Sequence, residues 1–533
     1  MKKKKPQKKA PSQKKLLKII SQKKFEIIIL IILLISTILR FYNYQNLWSL
    51  GNDNSRDIAI AREALSRHEL PLIGSFSSAG PFVFGPLFYW VVMGSYIVLP
   101  FMFTAPFFVT ALSGVLTVGV LMACGYLING KRLTIIIGIL TAFAPQFVMR
   151  SLVVGQHTYI APAASLLFLM YILYWQKKKL IFAFLAGIFL GIALSFHYQA
   201  INLLIFFAAI LLVPKISWAK RILGFLIMFL GFLLPSLPLL LWDSQQHFAN
   251  IRNILDYFLL GQYRIYVPNS WKLFLFTYLP SYWGFVVGGT KTAALLLIGF
   301  TFIMVIITGV KKKISLIMYV FGVMFAVLLV LNRYYRGERS EGYLIYLAPF
   351  ILLFTAWSID KLFEFTTPVL SKKILPAFAV LILVGILIAN TVQILPYYKS
   401  GSTVPVVLQT INYLTEKYPN TKFAVYDYRG QSSYMSQPLG LMLNAKNKSD
   451  PKGMSIGIVY WDKTTNHKFP VITTAGYNNV DNISKVKNRN RKPGDWIEVN
   501  QQNMYDDLIG WSKKHALTST FSLPAYIQSR FHL

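Results

Sequence analysis

The side chains best suited to chemistry cluster in one polar stretch that opens Gly51-Asn52-Asp53-Asn54-Ser55-Arg56-Asp57. Asp53 fits a general base, a carboxylate able to take a proton from a hydroxyl. It fits a helix cap as well, because Asp is favoured at the positive end of a helix. Asp57, one turn on, reads first as a first-turn helix acid and second as a direct participant. Ile58, Ala61 and Leu65 follow at i, i+3 and i+7, which predicts a short helix lying on a membrane surface with its amino end at Asp53–Ser55. Farther along stand Arg150, His157 and His197, each in an apolar setting where an interior structural partner competes with a functional role. Asp53, Asp243 and His247 can be drawn around a divalent metal, although no ligand spacing demands it. The expectation is therefore no required cofactor, with a metal left open.

The elements that position these residues belong to a membrane protein. Of 533 residues, 55% are hydrophobic and 14% charged, where soluble domains carry about 25% charged residues. The formal charge is +34, yet Pro81 to Gly130 contains no charged side chain, which excludes a nucleic-acid surface. The basic excess reads as topology signals and lipid-headgroup contacts. The single cysteine, Cys124, permits no intrachain disulfide.

A Lys-rich tail (1–24) precedes an apolar anchor at Phe25 to Phe41, and a polar loop (42–80) follows it. Apolar runs of spanning length are 82–103, 104–128, 133–149, 158–175, 180–196, 199–213, 222–242, 292–310, 314–332, 343–363 and 374–396. Lys177–Lys179, Lys220–Arg221 and Lys311–Lys313 should all be cytoplasmic. To satisfy that parity, 133–149 and 158–175 are expected to share one crossing, broken between Pro145 and Thr158. The fold class is then a polytopic α-helical membrane protein of about 11 to 13 transmembrane helices over 25–396. Its amino terminus is expected in the cytoplasm of the cell, at the plasma membrane. Trp271 to Gly289 reads as interfacial or re-entrant. From about Tyr397 the composition becomes that of a small extracytoplasmic α/β domain (397–533). There Val406 to Tyr418 and Asn503 to His515 read as helices, and Lys422 to Tyr428 and Ile456 to Trp461 as buried strands.

The chain has no GxxxxGK[ST], HExxH, CxxC or GxSxG, which sets aside the usual ATP-driven pump and metalloprotease signatures. What it does have are D-x-x-R-D from Asp53, A-R-E at Ala61–Glu63, L-P-L-I-G ending at Gly74 and G-P-L-F-Y-W from Gly85 to Trp90. Later come Gly191-Ile192-Ala193-Leu194-Ser195-Phe196-His197-Tyr198 and Gly342-Tyr343-Leu344-Ile345-Tyr346-Leu347-Ala348-Pro349. Together these resemble the polyprenyl-phosphate-sugar-dependent glycosyltransferases of the GT-C class. More narrowly, they are similar to bacterial members of family 39, the protein mannosyltransferases and relatives of the aminoarabinose transferases. The resemblance spans about residues 25 to 400. The chain departs from it at Asn54, where relatives often carry Glu, at Ser195 for Gln and at Gly342 for His. It has Gly155-Gln156-His157-Thr158 in place of W-N-P-N.

The resemblance implies a GT-C fold and an inverting transfer of a hexosyl or pentosyl group from a polyprenyl-phosphate donor to an extracytoplasmic acceptor hydroxyl on glycolipid, protein or cell wall. Asp53 would be the base, with Asp57, His157, His197 and Tyr343 as further site candidates. The leaving lipid phosphate would call for cations, for which the candidates are Arg56, Arg150, Arg264, Arg333, Arg336 and Arg339; Arg62 is also on that side. Membrane lipids, but no nucleic acid, are expected partners. The rival readings are a transporter or flippase, or a ligase, of polyprenyl-linked glycans. A carrier should show paired broken helices and midplane charges, whereas the sequence offers one broken stretch around Arg150.

Overall fold

A computed structural model describes residues 13–48, 50–100, 102–262, 267–335, 341–365, 371–399, 403–428, 433–460, 471–474, 496–499 and 503–516. Six of its helices are long and apolar enough to cross a membrane: Ala105–Ala142, Gln156–Lys177, Trp218–Gln245, Lys291–Val310, Gly342–Leu362 and Lys373–Tyr398. Outer helices expose rows of Leu, Ile and Phe, among them Leu30, Leu34, Leu230, Leu296, Phe302 and Leu381, which suits contact with acyl chains. The centre is the Ala348–Leu362 helix, in which every side chain is buried, Asp360 and Lys361 included.

The bundle has two distinct ends. One is marked by Arg40, fully buried, which donates to the carbonyls of Thr141 and Ala142 and so satisfies the last turn of the Ala105–Ala142 helix. The other carries Lys177–Lys179, Lys220–Arg221 and Lys311–Lys313, at the far termini of helices whose opposite ends are Gln156, Phe196, Gln245, Lys291 and Leu331. At this far end Asp360 accepts from Arg132 and Asn129, and Glu364 accepts from Asn129, Arg132 and Lys361.

Two expectations about the passes are corrected. The Ala105–Ala142 element is a hairpin broken at Asn129 and Gly130, where Gly130 has φ 75°, a left-handed conformation that glycine adopts without a Cβ penalty. Its second arm returns to Arg40, and Ile160–Lys177 starts again from that same end, so 133–149 and 158–175 do not share a crossing. The odd pass is instead 82–103. Its helix, Leu87–Val98, has 12 residues and is about 18 Å long, short of a roughly 30 Å hydrocarbon core. Both its ends stay at the Arg40 end: Gly85 N–H donates to the Ser195 carbonyl, while the Arg62 guanidinium of the polar loop lies over the Tyr96 and Phe103 rings. Trp48 packs against Phe107 just beyond.

After the last long helix come strands β1 (Phe423–Tyr428), β2 (Met454–Tyr460), β3 (Val471–Thr474) and β4 (Trp496–Glu498), in sheet order β3-β2-β1-β4. β1 and β2 are parallel, and the Ser433–Ala445 helix supplies the crossover that parallel pairing needs. Val407, Ile411 and Leu414, at i, i+4 and i+7 of the Thr403–Lys417 helix, pack with Phe423, Val425 and Ile456 of the sheet and with Leu439 and Leu443 of the crossover. The final described helix is Met504–Ala516.

Candidate active site

The polar loop between the first helix and Leu87–Val98 folds as a helix followed by a short hairpin. Gly51, with extended backbone, precedes the Asn52–Ser66 helix, so Asp53 lies inside the first turn and is not the cap. The helix is buried over Ile58, Ala59, Ile60, Ala61 and Ala64. It packs against three helices, Leu87–Val98, Ser433–Ala445 and Met504–Ala516, so Ile58 and Ala61 of the apolar stripe are covered by protein. Three alanines make that close approach possible, and a three-residue stripe understated it.

In the hairpin, Gly74 N–H donates to the Phe84 carbonyl and Phe84 N–H to the Ser75 carbonyl. A Cβ on Gly74 would fall on the carbonyl of Gly85, and a Cβ on Gly85 would fall within the Ser195 side chain, 2.8 Å from its Cβ and 3.0 Å from its Cα. Two motif segments of the hairpin, ending at Gly74 and starting at Gly85, therefore meet the distant segment that contains Ser195 at one backbone crossing. Asn250 clasps the same hairpin, accepting from Val83 N–H at 2.8 Å and donating to the Val83 carbonyl at 3.3 Å, while Asn253 donates to the Pro81 carbonyl at 2.8 Å. These two asparagines went unnoticed in the sequence; their i, i+3 spacing in an apolar helical run was the available signal. Asp243 accepts the backbone N–H groups of Asn250 and Ile251 at 2.7 and 3.1 Å and so caps that helix.

Between hairpin and bundle, at the Arg40 end, lies a cavity of about 720 Å³. Asp53, Arg56, Asp57, His157, His197 and Tyr343 all line it, so six of the candidates from sequence are brought together. Tyr198, Asn202, Tyr257 and Tyr335 complete its polar wall, with the Tyr257 and Tyr335 hydroxyls 3.0 Å apart. Arg150 stands behind the wall, its Nη1 2.9 Å from His157 Nε2. Because arginine only donates, Nε2 of His157 is the acceptor and that ring is neutral. His197 accepts from Gln199 N–H through Nδ1 and stacks on Phe84 at 4.6 Å, which fixes Nε2 as its protonated nitrogen.

The carboxylates form a triad with Arg56. Its Nη1 reaches Asp53 Oδ1 at 2.9 Å, and its Nε and Nη2 both reach Asp57 Oδ1 at 2.9 Å. The Tyr89 hydroxyl donates to the same Asp57 oxygen at 3.4 Å. The Asp53 side chain is 81% exposed and Asp57 only 5%. Burial pushes the Asp57 carboxyl up to about 6, more than the adjacent Arg56 pulls it down. Arg56 is thus committed to two carboxylates and is not spare charge for a phosphate.

Arg333 is exposed, with its guanidinium 5.3 Å from the Trp271 ring, and does not line the cavity. Arg264, Arg336 and Arg339 lie outside the described residues. Asp243 is used as a cap and His247 is exposed, so the imagined metal site with Asp53 is not assembled; among the described residues no group of three or more His, Cys, Asp or Glu side chains could hold a metal.

No family profile and no curated protein sequence matches the chain. Solved structures do. ArnT from Cupriavidus metallidurans in the apo state is 14% identical, with 82% of this chain and 93% of that one covered at a TM-score of 0.55. The chain has the fold of ArnT. The same enzyme bound to undecaprenyl phosphate is 13% identical over 81% of this chain and 92% of that one, with a TM-score of 0.53. The archaeal oligosaccharyltransferase AglB from Archaeoglobus fulgidus, in complex with an inhibitory peptide and a dolichol-phosphate, is 13% identical. There 82% of this chain and 70% of that one are covered at a TM-score of 0.51. The helical membrane architecture is thus the one that the sequence resemblance implied.

Proposed function

We propose that the protein is an integral-membrane GT-C glycosyltransferase that moves a sugar from a polyprenyl-phosphate carrier to an acceptor hydroxyl outside the cytoplasm. The observation that carries this reading is the solvent-open Asp53 carboxylate, held by Arg56, at the mouth of a cavity between a polar loop and an ArnT-like bundle. With the three basic marks cytoplasmic, the cavity faces outward. The chain then passes eleven times: Gln13–Phe41, the two arms of Ala105–Ala142, Ile160–Lys177, Leu180–Phe196, Tyr198–Ile210, Trp218–Gln245, Lys291–Val310, Leu316–Leu331, Gly342–Leu362 and Lys373–Tyr398.

In the proposed step Asp53 takes the acceptor hydroxyl proton as the oxygen attacks the anomeric carbon, and the bond to the lipid phosphate breaks with its electron pair leaving on phosphate. Asp57 orients Arg56, which orients Asp53. In this reading the Nε2–H of His197, which lines the cavity, donates to the departing phosphate, and Arg150 holds His157. Arg264, Arg336 and Arg339 remain proposed phosphate ligands on their sequence position. The like-fold neighbours bind undecaprenyl phosphate and dolichol-phosphate, which supports a lipid-phosphate donor here. The test is transfer of radiolabelled sugar from a panel of polyprenyl-phosphate sugars to envelope acceptor by purified wild type and Asp53→Asn. Transfer that falls by about a hundredfold or more in the variant supports the reading; undiminished transfer sinks Asp53 as base.

A further inference from the structure

The last described helix, Met504–Ala516, reaches across more than 400 positions of sequence to the helix that carries Asp53. Arg67, at the end of that helix, donates through Nη1 and Nη2 to the two oxygens of Asp506, each at 2.8 Å. Glu63, one turn before Arg67, accepts from Arg67 and, through its other oxygen, from Tyr505 N–H at 3.0 Å. The Tyr505 N–H belongs to the unpaired first turn of its helix, so Glu63 serves as its cap. The hydrogen bond from Arg67 holds the Asp506 carboxyl below its usual range.

A second set of contacts points into the site. The Trp511 ring lies 5.0 Å from Phe76 in the hairpin, and the Arg56 guanidinium lies 4.7 Å from the same Phe76 ring. Arg56 is the cation shared by Asp53 and Asp57. Tyr505, Leu508 and Ser512 form the buried face of the Met504–Ala516 helix, and Trp511 stands beside them.

We infer that the Met504–Ala516 helix is a positioning element of the active site: Asp506 and Tyr505 fix the Asp53 helix, and Trp511 sets Arg56 through Phe76. The inference rests on the proposed function for its catalytic consequence, but the clamp itself does not. An exposed ion pair contributes little by itself. Here the pair does something else, since a bidentate fork fixes the relative orientation of two helices. With the helices so fixed, Trp511 limits the positions open to Phe76, and Phe76 excludes water from one face of the Arg56 guanidinium.

The experiment uses the full chain in detergent or nanodiscs and compares wild type with Trp511→Ala, Trp511→Phe, Arg67→Asp, Asp506→Arg and the double reversal Arg67→Asp/Asp506→Arg. Two readouts are taken: kcat and KM for a polyprenyl-phosphate sugar, and amide hydrogen exchange over 52–66. Trp511→Ala should lower kcat by about tenfold to a hundredfold, the scale of a small misplacement at a reacting centre, with KM for the lipid donor little changed. Trp511→Phe should recover most of the loss. Each single reversal should speed exchange over 52–66 and lower kcat, and the double reversal should restore both. Unchanged kcat in folded Trp511→Ala, or a double reversal no better than either single, overturns the inference. If wild type transfers from no donor, the proposed function fails while exchange still decides the clamp. Faster exchange over 52–66 in Asp506→Arg, reversed in the double variant, supports it; unchanged exchange refutes it.

Discussion

Replacing Arg56 by Gln removes the cation that touches both Asp53 and Asp57 and leaves only the Tyr89 hydroxyl to oppose burial at Asp57. In the wild type these influences leave the Asp57 carboxyl at about 6 against an ordinary 3.8. An opposite charge at this range favours the ionised carboxylate, so its loss should raise Asp57 further. In the proposed mechanism transfer needs Arg56 anchored by ionised Asp57, so the wild-type rate should fall with an acid limb near pH 6, and Arg56→Gln, which leaves Asp57 nothing to anchor, should lower the rate and lose that limb. The sign of the stability effect runs the other way. A carboxyl whose folded value lies above its unfolded one stabilises the fold fully below the unfolded value, and that contribution is lost as pH rises from 3.8 through about 6. Above that range, keeping Asp57 ionised costs the fold about 3 kcal/mol. Asp57→Asn should therefore melt higher than wild type near neutral pH while its transfer rate falls and loses the limb. The assay is the pH profile of transfer from a polyprenyl-phosphate sugar, with thermal unfolding measured on the same samples. A limb that persists in Arg56→Gln, or an Asp57→Asn variant less stable than wild type near neutral pH, refutes the reasoning.

Gly85→Ala must push Ser195 aside at a crossing where its neighbour is main chain as well as side chain; a loss of about 1 to 3 kcal/mol in unfolding free energy is expected, and Gly85→Ala/Ser195→Gly should recover part of it. Asn250→Leu leaves the Val83 N–H and carbonyl without their clasp. Proteolysis within 75–84 should become faster, and stability should fall by about 1 to 3 kcal/mol. Arg132→Ala removes the cation from buried Asp360, and with Asn129 still donating, a thermal-unfolding loss of about 2 kcal/mol is expected. A variant as stable as wild type would show that Asp360 is held by Asn129 alone.

The membrane character and the polar loop were legible in the sequence because composition and residue type report them directly, whereas His157, His197 and Tyr343 were carried chiefly by the motif resemblance. The depth of a helix was not. The 82–103 run is as apolar as a spanning segment, yet the hydrogen bond from Gly85 to Ser195 and the packing of Trp48 on Phe107 keep both its ends on one side. Hydropathy reads polarity and is blind to such tethers. The pairing of Arg56 with Asp53 was legible too, since side chains three positions apart on a helix meet. The burial of Asp57 was hidden for another reason. It depends on Tyr89 and on the helices packed over its own, which local periodicity does not describe.

The central Ala348–Leu362 helix connects two places at once. It follows Tyr343 and Tyr346 in the cavity wall and ends in the Asp360, Asn129 and Arg132 cluster at the opposite end. It is an axle fixed at both bearings. A carrier would have to open its cavity toward each side in turn, and opening the far side would strip Asp360 of its partners while it remains enclosed by the bundle, at several kcal/mol. Such an axle suits a site that works in one fixed orientation, as the proposed transfer requires, and not one that opens toward each side in turn.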